Sequence, residues 1–377
     1  MRFSYWEHAV FFQNIQDLVI GGGIVGLTTA IELKRSTPNR EVVVIERDAF
    51  SAGASTKNAG FACFGSSGEL LDDLEKMPLD EVFNLVERRY RGLQNLQALL
   101  GKVDMEFELC GGIELFREND AQEMNRCLER LDFLNDHFEQ HLGFRPYQRM
   151  QQIPRFNGQT KFIGAIENSH EGRIHTGKLI QGLRDLAVSE GVRFIHGLCV
   201  NSVESASNAC RVVIEGEDFH FDRVFVCTNG FASQLLPDLD VRPTRNQVVV
   251  TSPLPAPIPD GTYHVNKGYI YFRPIGNRVL IGGFRDTDLA GESTAEFGLT
   301  ETIQREISAF INQYITPSGT YTFDYRWSGI MGLGPDKSTI VKKMTDHLFV
   351  GVRMGGMGVA IGSLVGKELA LLANASK

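Results

Sequence analysis

Three glycines at fixed spacing, Gly21-x-Gly23-x-x-Gly26, and an acid 20 residues beyond the last of them, Glu46, form the chain's clearest chemical pattern. The glycines follow the apolar run Leu18-Val19-Ile20. They open a segment whose apolar residues Leu27, Ala30, Ile31 and Leu33 recur at helical spacing, and a second apolar run, 42–45, ends in the acid. Strand, turn, helix, strand and acid is the order a dinucleotide site requires. Gly21 permits the tight turn, Gly23 lets the backbone approach a pyrophosphate at the positive end of a helix, and Gly26 lets that helix pack against the strand. Glu46 would accept hydrogen bonds from an adenosine ribose, and its charge disfavours a 2′-phosphate, which leaves FAD or NAD.

A second glycine loop, Gly355-Gly356-Met357-Gly358 with Gly362, lies between an apolar run at 348–352 and an apolar segment at 359–373. Only 15 residues follow Gly362, too few to complete another βαβ unit, so this is not an independent NAD site. Backbone N–H groups at a helix start would instead stabilise negative charge on a bound ligand. The stretch 51–68, rich in small residues, is long for a plain connection, and its place after Glu46 suits a segment lying along a cofactor. In Tyr269-Ile270-Tyr271-Phe272-Arg273 a period of two puts Tyr269, Tyr271 and Arg273 on one strand face, with Lys267 on the same side. That face either lines a substrate pocket or holds core aromatics beside a solvated lysine.

The elements that must position these residues alternate in kind. Helical spacing spans Leu79–Leu100, and 107–116 reads as two short strands around Gly111-Gly112. Asp120 with Glu123 predicts a capping box for one helix through Met124, Leu128, Leu131, Leu134 and Phe138. Thr176 is the expected N-cap of a helix stopped by Gly191, and 223–228 is a buried strand running into Asn229-Gly230. The stretches 243–251 and 263–284 are strand-rich, with a turn at Gly276-Asn277. A chain of 377 residues exceeds one simple core, so two domains are expected. A net charge of -8 offers no basic face for nucleic acid. Six scattered cysteines without a C-x-x-C pair argue against zinc and a disulfide framework, and the histidines, among them His170, His175 and His264, lack metal spacing and read as surface or hydrogen-bonded residues. With no signal-peptide pattern at 1–16 and no apolar run of roughly 18 residues, the chain reads as soluble and cytoplasmic, without membrane insertion.

The order of Gly21-x-Gly23-x-x-Gly26, Glu46-Arg47, Gly53-Ala54-Ser55 with Asn58-Ala59-Gly60, Trp327-x-Gly329, Pro335-Asp336 and the C-terminal glycine loop resembles the superfamily of FAD-dependent D-amino acid, glycine and sarcosine oxidases, over nearly the whole chain. The resemblance implies an α/β plus antiparallel-β fold. A glutathione-reductase-like, Rossmann-type FAD-binding domain (1–104, 160–241 and 326–377) would be interrupted by an antiparallel-sheet substrate domain (105–159 and 242–325). It implies non-covalent FAD, with Gly21, Gly23, Ile24, Val25 and Gly26 at the pyrophosphate, Glu46 at the ribose, Arg47 beside the adenosine and Val200 at the adenine. Ala54, Ser55, Thr56, Lys57, Asn58, Ala59, Gly60 and Phe61 would run beside the flavin, with Thr228 and Gly230 in a neighbouring loop. Gly355, Gly356, Met357, Gly358 and Val359 would face the flavin pyrimidine. Lys57 stands where some relatives carry a flavin-linking histidine. Met331 stands where amino acid members carry an arginine that clamps a carboxylate, which leaves Arg273, Arg285 and Arg353 as candidate replacements.

The implied reaction is oxidation of a C–N bond of a small amine or amino acid by hydride transfer to flavin, then imine hydrolysis, with electrons passing to oxygen or another acceptor. Tyr269 and Tyr271 would line the pocket, and Lys267 would be a positive group favouring oxygen reduction. Two other classes stand beside this one: an FAD-linked hydroxy acid or glycerol phosphate dehydrogenase, and a flavin-binding protein without turnover. Met331 shifts the expected substrate from free D-amino acids towards primary or secondary amines, with a carboxylate at most distal to the nitrogen.

Overall fold

The strand Asp17–Ile20 is buried along its whole length and pairs in parallel with Val42–Glu46 on one side and Arg223–Val226 on the other. In this computed structural model, which describes residues 2–101 and 104–375, it forms the middle of a six-stranded sheet. The strand order is Ile340–Lys343, Leu348–Val352, Arg223–Val226, Asp17–Ile20, Val42–Glu46, Arg193–His196, and Ile340–Lys343 is antiparallel to its neighbour. Continuous Val/Ile/Leu runs suit a sheet covered on both faces. Val19, Val42, Val44, Phe225 and Phe349 pack towards the helices Ile24–Ser36, Leu79–Leu100, Thr176–Ser189 and Gly358–Asn374. Leu18, Ile20, Val43, Ile45, Val224 and Val226 pack towards a three-stranded antiparallel sheet, Val200–Ser205, Cys210–Ile214 and Glu217–Phe221. The fully buried Asp17 carboxylate accepts from Arg223 at 2.7 Å on each oxygen and from Arg40 at 2.7 and 2.9 Å, tying three segments at the foot of the sheet.

The second sheet has eight strands in the order Phe323–Leu333, Arg242–Thr251, Arg278–Gly283, Ile270–Ile275, Thr262–Val265, Gly112–Phe116, Gly164–Asn168, Tyr147–Arg149. One face packs on the helix Glu301–Phe310 through Ile303, Ile307 and Phe310. Across the other runs a row of register partners, Glu114, His264, Tyr271, Gly282, Val248 and Trp327. Paired residues share a face, so one surface of this sheet carries both polar and aromatic groups. Gly164–Asn168 and Phe323–Leu333 both belong here, so the expected segment 160–241 lends its first strand to the larger sheet, and a boundary at 326 falls inside a strand. Among the described residues no helix is long and apolar enough to cross a membrane.

Several local expectations change. The single helix after Asp120 is two, Ala121–Glu129 and Leu131–Leu142, broken at Arg130, and the Asp120 carboxylate accepts from the backbone N–H and guanidinium of Arg117, closing the 3-10 turn Glu118–Asp120 and not capping the helix Ala121–Glu129. His175, not Thr176, is the N-cap, its ring accepting the Lys178 N–H. The stretch 107–116 yields one strand, Gly112–Phe116, and Glu108 makes only an isolated bridge to Arg173.

Candidate active site

Where the C-terminal ends of the parallel strands meet the eight-stranded sheet there is a cavity of about 630 Å³, within the range of cofactor and substrate sites. The expected cofactor residues line it with four exceptions, Gly26, Thr56, Gly60 and Gly230, which shape the wall from behind. A Cβ on Gly26 would lie 1.9 Å from the Gly21 carbonyl oxygen, so this glycine sets how closely helix meets strand. The Thr56 hydroxyl donates to the Ser51 carbonyl, Gly60 donates its N–H to Asn58 Oδ1, and Gly230 lies against the Met331 backbone.

The turn itself is shaped for a dinucleotide. Gly21 has φ +105, and a Cβ there would lie 2.9 Å from the Cys227 carbonyl oxygen. Helix Ile24–Ser36 starts at Gly23 without a side-chain cap, and its Ile24 N–H is donated to Ser55 Oγ at 3.0 Å. Glu46 Oε2 accepts the Gly22 N–H at 2.9 Å, which fixes the acid at the strand end. Arg47 stacks over the Phe231 ring at 4.0 Å. Thr228 Oγ1 is buried in the wall and has no hydrogen-bond partner among the described residues. An open helix start, a rigidly held acid and an orphaned hydroxyl are groups that a bound dinucleotide would satisfy.

The remaining motifs act as supports. Trp327 Nε1 donates to the Lys57 carbonyl at 2.9 Å, and Gly329 leaves room for the Lys57 side chain, so Trp327-x-Gly329 braces the short helix Ala54–Lys57. Asp336 pairs with Arg353 at 3.0 Å, and Asn229 Oδ1 accepts the N–H groups of Arg353 and Met354 at 3.1 Å each. Together they set the path into the C-terminal glycine loop, where Gly355 and Gly356 are left-handed.

On the substrate side Lys267, Tyr269, Tyr271 and Met331 line the cavity, but not as one strand face. The strand starts at Ile270, and Asn266, Lys267 and Gly268 all have positive φ, so Lys267 sits in a turn with its ammonium 2.8 Å from Asp72. Arg273 shares a strand face with Tyr271 but passes behind segment 59–61, donating to the Ala59 carbonyl at 2.7 Å and the Ile174 carbonyl at 3.4 Å. Burial there lowers its pKa to about 10. Arg353 also stands outside the cavity, bound to Asp336 and the Ser338 carbonyl. Of the three candidate arginines Arg285 alone lines it, its guanidinium 4.6 Å from the Tyr269 ring centroid.

Other polar residues of the wall carry no spacing signal in the sequence. Lys337 reaches Glu69 at 2.8 Å and Asp73 at 2.7 Å; burial pushes the Glu69 carboxyl up, but Lys337 and Arg89 outweigh it and hold it down to about 2. His264 is not superficial: it lines the cavity with Nε2 buried and, among the described residues, without a hydrogen-bond partner, 3.7 Å from Glu171 Oε2, and burial lowers its pKa to about 4. Glu171 Oε1 accepts the N–H groups of Phe64 and Gly65, yet burial raises its pKa to about 8. Between the ordinary value of 4.5 and about 8 the folded protein keeps a proton that the unfolded chain has lost, so stability falls as pH rises through that window. Glu171→Gln preserves the acceptor and removes the titration. Its unfolding free energy is expected to gain on the wild type by up to about 1.4 kcal/mol per pH unit between about pH 5 and about pH 8, read as a melting temperature that rises relative to the wild type over that range. A difference constant across that range would contradict the assignment.

Comparison with known proteins agrees with this arrangement. The DAO family model, described as FAD-dependent oxidoreductase, matches residues 18–372. A probable oxidoreductase, OrdL, of Rhizobium meliloti (strain 1021) is 24% identical over 374 residues, covering 94% of this chain and 82% of that protein. The 4-methylaminobutanoate oxidase (formaldehyde-forming) of Paenarthrobacter nicotinovorans is 21% identical over 385 residues, which is 98% of this chain but 44% of that protein. Glycine oxidase from Geobacillus kaustophilus has the same fold, with a TM-score of 0.76 at 20% identity over 96% of this chain and 95% of that one. With the match running through the glycine turn, both sheets and the C-terminal loop, the chain belongs to the DAO family of FAD-dependent oxidoreductases, and FAD is its cofactor.

Proposed function

We propose that the protein oxidises a C–N bond of a primary or secondary amine, with any carboxylate distal to the nitrogen. The observation that carries this is Met331, whose thioether stands in the cavity wall 3.9 Å from Asn246 Nδ2 where a carboxylate clamp would otherwise sit. A carboxylate placed there without a guanidinium would be costly to desolvate. The relative named 4-methylaminobutanoate oxidase supports the same reading.

When bound, FAD supplies the hydride acceptor, the resulting substrate imine is hydrolysed, and the electrons pass on to oxygen or another acceptor. The protein's residues bind, orient and tune charge. The helix start at Gly23, Ile24 and Val25 would hold the pyrophosphate, Glu46 the ribose, Arg47 the adenosine and Val200 the adenine. Segment 54–61 would lie beside the flavin, and N–H groups at 355–359 would meet its pyrimidine. In this reading the parallel sheet is the cofactor unit and the eight-stranded sheet the substrate unit. Lys267, oriented by Asp72, would keep a positive charge near the site of oxygen reduction. FAD would be held non-covalently: Cys63, a thiol on the wall, is pushed well up by burial and is a poor nucleophile at neutral pH.

Glu46→Ala is expected to weaken FAD by roughly 1.5–3 kcal/mol per lost charged hydrogen bond, with turnover at saturating FAD unchanged. Normal FAD affinity with lost turnover would show a different role. The reaction class is tested by product analysis: turnover with N-methylbutylamine should yield a carbonyl compound and the cleaved amine in equal amounts, and consumption of substrate without C–N cleavage would overturn it.

A further inference from the structure

An alkylamine titrates at about 10 and so arrives as its ammonium, whose proton must leave before the nitrogen lone pair can assist hydride departure from the adjacent carbon. Most titratable groups of the substrate wall are unsuited to take it. Burial pushes Glu69 and Asp72 up, but their basic partners outweigh it and hold both down to about 2, which leaves them weak bases. Burial also pushes the Tyr271 phenol and the Cys63 thiol up, so both keep their protons.

His264 is placed differently. It is the register partner of Tyr271 on one side and of Glu114 on the other, so its ring stands in the polar row across the eight-stranded sheet. The Phe61 ring meets both His264 and Tyr271 edge-on, at 5.2 and 5.6 Å between centroids, which puts the imidazole in the wall beside the tyrosine.

Behind the ring stands Glu171, 1% exposed. Its Oε1 is fixed by the N–H groups of Phe64 and Gly65 at 2.8 and 3.0 Å, and a Cβ on Gly112 would lie 2.0 Å from Oε2, so this glycine makes room for the carboxyl. Oε2 is left towards His264 Nε2, 3.7 Å away, a nitrogen that is buried and without a hydrogen-bond partner among the described residues. The void beside the two groups is too small for a water molecule, so no water bridges them. The charges around the pair are Glu69, from the helix Ser67–Leu74, and Glu114, from the adjacent strand; Arg89 and Lys337 balance Glu69, while Glu114 is held by the hydroxyls of Ser66 and Ser67.

We propose that His264 is the base that accepts the proton of the substrate ammonium, with Nδ1 serving the cavity while Nε2 donates to the Glu171 carboxylate, which positions the ring and balances its charge. The ammonium N–H bond breaks, its electron pair stays on nitrogen, and the proton goes to the imidazole. This rests on the C–N oxidation reading. The pair is a base only once Glu171 has lost its own proton, and burial holds that carboxyl up to about 8 and the imidazole down to about 4.

Anaerobic flavin reduction by saturating N-methylbutylamine should therefore speed up through a midpoint near about pH 8 in the wild type. Glu171→Gln should lose that rise, being about a hundredfold slower at about pH 9 and within about threefold at about pH 6. His264→Asn should behave alike, with FAD occupancy unchanged in both variants. The titration of the amine itself is common to all three proteins and cancels in the comparison. Without any substrate, the ring nitrogen resonances of His264 in the FAD-loaded protein should shift through the same midpoint, and cease to do so in Glu171→Gln. Parallel pH profiles in wild type and variants, or a His264 ring indifferent to Glu171, would overturn the assignment while leaving C–N oxidation standing. Failure of every amine to reduce the wild-type flavin would overturn both.

Discussion

Gly23→Val is expected to give a folded protein nearly free of FAD, with affinity lowered by about a hundredfold, equivalent to about 2.7 kcal/mol. Gly23 has φ -81, a conformation open to any residue, so the substitution strains no backbone. A Cβ at this position would lie 2.8 Å from Ser55 Oγ, and the two methyls beyond it would fill the space in front of the helix start. That space is where the pyrophosphate must come within hydrogen-bond reach of backbone N–H groups. The check is flavin absorbance per protein after purification, together with far-ultraviolet circular dichroism to show that the fold persists. Full FAD occupancy in a folded Gly23→Val protein would mean the cofactor binds elsewhere.

The largest expected loss of stability comes from Asp17→Asn. Asp17 has 0% exposure, and its two oxygens take four N–H donors from Arg223 and Arg40. Removing the negative charge leaves the buried Arg223 guanidinium without its counter-ion, while Arg40 keeps Asp222 at 3.3 Å; losing one partner of a buried pair costs about 3–5 kcal/mol. Because Asp17 begins the strand that ends in the glycine turn, FAD should also be released earlier in a urea titration of the variant. A urea midpoint equal to that of the wild type would show that water reaches the cluster and that the ion pairs contribute little.

The dinucleotide half of the site was legible because its signals are local. Leu18-Val19-Ile20, the three glycines and Glu46 lie within one strand–helix–strand unit, where sequence spacing translates directly into geometry. The substrate half is assembled from four strands of a mixed sheet, and there sequence spacing misleads. The period of two that joins Tyr269 to Tyr271 does not extend to Lys267, because Asn266, Lys267 and Gly268 all have positive φ and turn the chain before the strand begins. Arg273 and Arg353 have the right chemistry for a clamp, yet main-chain carbonyls at 59 and 338 and the Asp336 carboxylate hold them away, partners far apart in sequence. His264, Lys337 and Asn246 sit in the wall through pairings such as His264 with Tyr271 and Asn246 with Gly329, which no short motif encodes.

The most direct test of the account is anaerobic mixing of the FAD-loaded protein with matched compounds while the flavin absorbance is followed. N-methylbutylamine and 4-methylaminobutanoate should bleach the flavin, the carboxylated amine faster, whereas D-alanine, glycine and lactate should do so at least about tenfold more slowly, a difference of about 1.4 kcal/mol in the barrier. Rapid bleaching by D-alanine or glycine would contradict the distal-carboxylate reading, and bleaching by lactate alone would contradict C–N oxidation itself.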